Sequence, residues 1–187
     1  MGLFSFGKKG KDKIKRLMEE NKIDEVIEKA LKDKKTVRDL VELLSDSNPG
    51  TVGDALFVLT TILRESPNSI DVSWDLVDKD LVDKVLSLVL SKNSYVKEGA
   101  MVLTMEIIKV HGYRFKDTID KHVPRLLSEG DKNTVAFTLL LIKELSLSKY
   151  KEEVEKLTEV EDKIILPFEG MKWVKLGDIA RDVLKEL

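Results

Sequence analysis

The sequence predicts an all-α fold of stacked antiparallel helix pairs. Apolar residues recur three and four apart through most of the 187 residues, strict apolar–polar alternation is rare, and parts of the chain resemble one another at a spacing of about 40 residues.

Taken in order, Ile23, Val26, Ile27, Ala30 and Leu31 form one helical stripe. Val37, Leu40, Val41 and Leu44 form the next, with Thr36 placed to cap it. The stripes break at Asn48-Pro49-Gly50, Ser66-Pro67-Asn68-Ser69, Lys92-Asn93-Ser94, His111-Gly112 and Glu129-Gly130-Asp131. These supply caps, a left-handed residue or a proline for a first turn. Helix is expected from Lys11 to Leu147, and Ile164-Ile165-Leu166-Pro167-Phe168 is the stretch that allows extended chain.

Three stretches read alike, from Leu40, Leu81 and His122. A shift of 44 superimposes Val52 on Val96, Asp54 on Glu98, Ala55 on Gly99, Val58 on Val102, Leu59 on Leu103 and Thr60 on Thr104. A shift of 37 or 38 aligns the third stretch less well, and Val174-Lys175 with Gly177 echoes Val96-Lys97 with Gly99. A leucine-rich helix, a short turn holding Asn or Asp, then valine, lysine and a small residue resembles the HEAT/armadillo-like repeats, most clearly from Leu81 to Ile108.

The resemblance implies a right-handed α-solenoid in a single domain. Residues 1–35 would be a basic segment with capping helices, 36–147 three repeats, and 148–187 an atypical last repeat or cap. One helix pair cannot bury its apolar face alone, so pairs stack, and Ala55, Gly99, Ala100 and Ala136 are small enough to let helices approach closely. The second helices, Leu56–Leu63, Ala100–Val110 and Val135–Ile142, are apolar on nearly all sides and belong in an inner layer, with the charged first helices outside.

Composition excludes several functions. There is no cysteine, hence no disulfide, thiolate zinc site or cysteine nucleophile. Acidic and basic residues nearly balance, at 34 and 32, which argues against a chain-wide footprint for nucleic acid. Absent glutamine and lysine in excess over arginine are a bias of proteins from hot environments. No apolar run is long enough to span a membrane, and the opening segment has its apolar residues before its lysines, the reverse of a secretory signal; a cytoplasmic protein is expected.

Gly2 to Lys8 has the GxxxxGK spacing of a phosphate loop, but Lys9 stands where a Ser or Thr is required. Leu3, Phe4 and Phe6 suit an interfacial layer with Lys8 and Lys9, and then Lys11, Lys13, Lys15 and Arg16, facing anionic head groups; the alternative is a solvated terminus. Phe6 breaks the myristoylation pattern. His111 and His122 have no metal-ligand spacing around them, and His111, just before Gly112, suits a cation at a helix C-terminus. Glu19-Glu20 and Glu152-Glu153 read as solvated faces rather than as a carboxylate dyad. Trp74 and Trp173 are expected in the core between repeats, the alternative being an exposed anchor for a partner.

The function expected is a non-catalytic scaffold for a protein or peptide partner, with no cofactor and no metal. If Val52, Leu56, Leu59 and Leu63 face the core, then Asp54, Phe57, Thr61 and Glu65 face a groove, as do Glu98, Met101, Met105 and Lys109 by the same shift, with Lys143 from the third stretch. The mixed character of this set suits a peptide better than a phosphate backbone. Membrane recruitment through the N-terminal segment is the alternative. A HEAT-like DNA glycosylase would need basic second helices, which this chain lacks.

Overall fold

The computed structural model describes residues 4–65, 77–168 and 173–187, almost all of them helical or in short turns. The chain divides into two compact units, residues 1–110 and 111–187.

The first unit contains helices α1 (Phe4–Glu19), α2 (Ile23–Lys32), α3 (Lys34–Leu43), α4 (Pro49–Glu65), α5 (Lys79–Leu88) and α6 (Ser94–His111, whose last residue falls in the second unit). Asp33 caps α3: its carboxylate accepts from the backbone of Lys35 and Thr36 at 3.0 and 3.2 Å. Thr36, expected as the cap, lies inside the helix, buried, and donates its hydroxyl to Asp33 at 2.9 Å. The Asp33 carboxylate, three residues earlier, outcompetes the threonine because it satisfies two helix-end N–H groups with full charge, an exchange that contributes about 1 kcal/mol. Asp78 caps α5 in the same way. Pro49 opens α4 and Ser94 opens α6, as the sequence punctuation predicts.

Helix starts at Phe4 rather than at Lys11, and α1 lies against α3 with Ile14 and Met18 buried. Lys15 donates to both oxygens of Asp46 at 3.0 and 2.9 Å, and Lys11 stands 3.7 Å from Glu42. The backbone N–H of Asn48, together with Lys15, holds the Asp46 carboxyl below the usual carboxylate range.

The second unit contains a 3-10 turn (Gly112–Phe115), α7 (Lys116–Glu129), α8 (Lys132–Glu144), a second 3-10 turn (Ser148–Tyr150), α9 (Lys151–Glu155), a two-residue antiparallel ladder and α10 (Leu176–Leu184). Gly112 takes the left-handed φ of +51° that ends α6, and Asp131 caps α8 by accepting from Thr134. The ladder pairs β1 (Lys163–Ile164) with β2 (Val174–Lys175). Val174-Lys175 is therefore strand, whereas Val96-Lys97 is helix, so the echo between them is not structural. Gly177 is needed here for another reason: a Cβ would stand 2.4 Å from the Thr158 carbonyl, and the Gly177 N–H donates to Val160 at 2.9 Å. α8 packs on both α7 and α10 and carries the fully buried Ala136, Phe137, Leu139, Leu141 and Ile142.

One feature recurs in all three apolar helices. Thr60, Thr104 and Thr138 are buried, and each donates its hydroxyl to the carbonyl four residues earlier at 2.7–2.8 Å. A buried hydroxyl inside a helix has that carbonyl as its nearest partner, so threonine is tolerated in an otherwise apolar row.

Candidate functional site

Helices α4 and α6 run side by side in one direction. A Cβ on Gly53 would stand 2.2 Å from the Tyr95 ring, and a Cβ on Gly99 would stand 3.2 Å from Leu56. One turn or more further on, Arg64 donates to Glu106 at 2.9 Å. Contacts that advance together along both helices require them to be parallel. Lys84 of α5 donates to the Val41 carbonyl of α3 at 3.4 Å. These cross-helix bonds join residues 41 to 43 apart. Two glycines thus bring α4 and α6 close enough for Tyr95 to reach back over α4.

Tyr95 donates its phenol to Asp54 at 2.7 Å. Burial of part of the ring, then the bond to Asp54, pushes the phenol up to about 12. Phe57, one turn beyond Gly53 on the same helix face, is 50% exposed and Tyr95 is 46% exposed, so α4 and α6 each present one large apolar side chain to solvent. Glu106 is buried between Arg64 and Lys109, which approach it at 2.9 and 3.2 Å. Desolvation opposes its charge, but the two cations hold its carboxyl below the usual range.

Val52, Leu56, Leu59 and Leu63 are buried, so the phase of α4 is as expected, and Asp54, Phe57, Thr61 and Glu65 share its outer face with partial or full exposure. On α6, Glu98 and Lys109 are exposed, but Met101 (1%) and Met105 (8%) are core residues. The shift of 44 transfers equivalence and not exposure: α6 is covered on more sides than α4, and unbranched methionine fills the resulting gaps. Those two residues leave the face. Sequence reasoning missed Tyr95, Arg64 and Glu106. The available signal was complementarity at a separation of 41 to 42 rather than similarity at 44, since Asp54–Tyr95 and Arg64–Glu106 are partners, not counterparts.

Lys143 belongs to the second unit, where it pairs with Glu186 at 2.8 Å. Trp173, expected in the core, is 69% exposed, and Trp74 lies outside the described residues. His111 is buried, and desolvation, with Arg114 second, pushes its imidazole below the usual value, so it ends α6 as a neutral ring rather than as a cation. Of the N-terminal set, Leu3 lies outside the described residues, Phe4, Phe6 and Lys8 fall in the first turns of α1, and Lys9 is exposed. Lys11, Lys15 and Arg16 pair with Glu42, Asp46 and Glu20.

Among the described residues, no helix is long and apolar enough to cross a membrane, and no group of three or more His, Cys, Asp or Glu side chains is arranged to hold a metal ion. No protein-family model matches the chain, and no curated protein is found to be similar to it.

Proposed function

We propose that residues 34–111 are two successive HEAT-like helix pairs, α3 with α4 and α5 with α6, and that the chain is a non-catalytic scaffold that grips a peptide segment of a partner protein on the face of α4 and α6. The single observation that carries this reading is that two half-exposed aromatics belong to these two helices, Tyr95 lying over Gly53 and Asp54 of α4 and Phe57 standing one turn beyond Gly53, with Glu65, Glu98, Arg64 and Lys109 exposed on the same helices. Interfaces of this kind have aromatic anchors within a charged rim. The parallel register of α4 on α6, with Lys84 of α5 meeting α3, supports the stacked-pair architecture.

The rim carries more carboxylates than cations, so the partner segment should present an apolar or aromatic residue beside lysine or arginine. A nucleic-acid backbone would meet like charge at Asp54, Glu65 and Glu98. Incorporating a photo-crosslinking residue at Phe57 and at Glu42, the second lying on α3, tests the reading in the native host. Crosslinks to one partner from position 57 and none from position 42 support it. The reverse pattern moves the working surface to the first helices and ends this assignment.

A further inference from the structure

The second unit contains a pocket of ≈ 210 Å³ walled by Leu140, Ile164, Leu166, Val174, Ile179 and Val183, with Lys143 and Asp182 at its edge. The walls come from α8, both strands and α10, so residues scattered over more than forty positions converge on it. Ile164, Leu166 and Val183 are buried at its floor, while Lys143 and Asp182 keep 30% and 67% of their side chains in water at its mouth.

Volume limits the occupant. A dry apolar cavity of roughly 150 Å³ holds benzene, and drug-sized ligands need roughly 300 Å³ or more. This pocket therefore suits one branched aliphatic or aromatic group and excludes lipid chains and nucleotides. Charge limits it further. The mouth carries one ammonium and one carboxylate, each close enough to influence the other. A simple carboxylate would meet Asp182, and a simple amine would meet Lys143.

We infer that this pocket binds a free apolar α-amino acid of the leucine class: its side chain enters the apolar walls, its carboxylate meets Lys143 and its ammonium meets Asp182. Lys143 is held by Glu186 at 2.8 Å and Asp182 by Lys185 at 2.7 Å. The Asp182 pair is solvent-exposed and the Lys143 pair partly so, and ion pairs in contact with water contribute little, so each can re-pair with the ligand at small cost. This site is independent of the α4–α6 face.

The test is calorimetry and ligand-observed NMR on the full chain with L-leucine, isocaproate (leucine without its ammonium), isopentylamine (leucine without its carboxylate) and L-serine. Leucine should bind saturably, each single-charge analogue about tenfold more weakly, and serine not at all. Val174→Trp fills the pocket from a half-exposed position and should abolish binding. Lys143→Met and Asp182→Asn should each weaken binding about tenfold with the helical circular dichroism unchanged, since both are surface residues. Absence of saturable leucine binding at millimolar concentration overturns the inference. So does isocaproate binding as well as leucine, or leucine binding that survives Val174→Trp.

Discussion

The phenol of Tyr95 donates a 2.7 Å hydrogen bond to Asp54 from a ring that lies on Gly53, so the tyrosine of one helix covers the first turns of its parallel neighbour. The first prediction follows from its acidity. A pKa raised to about 12, against about 10 for free tyrosine, stabilises the fold below pH ~10, and that stability is lost as pH rises through the folded value. Ultraviolet titration should reveal a tyrosine ionising near 12 that is absent in Tyr95→Phe. Asp54→Ala should move it downward, though not to the free value, because burial is the larger cause. Gly53→Ala should do the same, since a methyl group there expels the ring. Its stability should change by less than about 1 kcal/mol, because alanine gains helix propensity as the ring contact is lost. An unchanged titration in Asp54→Ala would remove the hydrogen bond from the account.

Gly99 sets the other close approach. A Cβ there stands 3.2 Å from two atoms of the fully buried Leu56, so Gly99→Leu should cost at least about 2 kcal/mol by overpacking, measured by urea denaturation. Lys97→Ala, at a half-exposed position two residues earlier, should cost less than about 1 kcal/mol. Equal midpoints for the two variants would mean that α4 and α6 do not meet at Gly99.

The helices were legible because their cause is local. The apolar period, the proline at Pro49 and the glycines at Gly112 and Gly130 act within one turn, and the breaks they predict match the described helix ends. One failure was local: Thr36 and Asp33 are both capping residues three apart, and the carboxylate takes the place by accepting from two helix-end N–H groups. The others were non-local. Met101 and Phe57 occupy counterpart positions, yet one is buried and the other half exposed, because exposure depends on what packs against each helix. The third apolar helix aligns by its buried threonine, with Thr138 at 34 residues from Thr104, a shift masked in the sequence by the different connecting segments. The pocket of the second unit was invisible, because its apolar walls come from four elements and look in sequence like ordinary core.

His111 predicts an acid-side loss of stability in the second unit. Its folded pKa lies below the unfolded value of about 6.5, mainly through burial, so protonation favours the unfolded chain. The contribution is complete above pH ~6.5 and is lost as pH falls from there through the folded pKa. Urea midpoints measured from pH 7 to 5 should fall in the wild type and fall less in His111→Leu. The carboxylates with lowered values, such as Asp46 and Glu106, act only at more acidic pH, so they do not obscure this window. Parallel slopes for the two proteins would assign the loss to other groups.

The last prediction concerns partner capture. Phe57→Ala removes one of the two bare aromatics, and Glu98→Lys reverses charge on the neighbouring helix; together they should weaken capture by about 2 kcal/mol or more if these residues are the anchors. Both side chains are exposed, so the melting point should move little. Met105→Ala is the wrong probe for the same face. It truncates a buried side chain and should cost about 2–5 kcal/mol of stability, so lost capture would report a weakened fold. The matched controls lie on the first helices: Glu42→Lys, whose carboxylate stands 3.7 Å from Lys11, and Lys84→Ala, which donates to Val41. Capture measured by pull-down beside a melting curve for each variant separates the cases. A folded Phe57→Ala/Glu98→Lys protein that retains full capture, while Glu42→Lys loses it, would transfer the binding surface from α4 and α6 to α3 and α5.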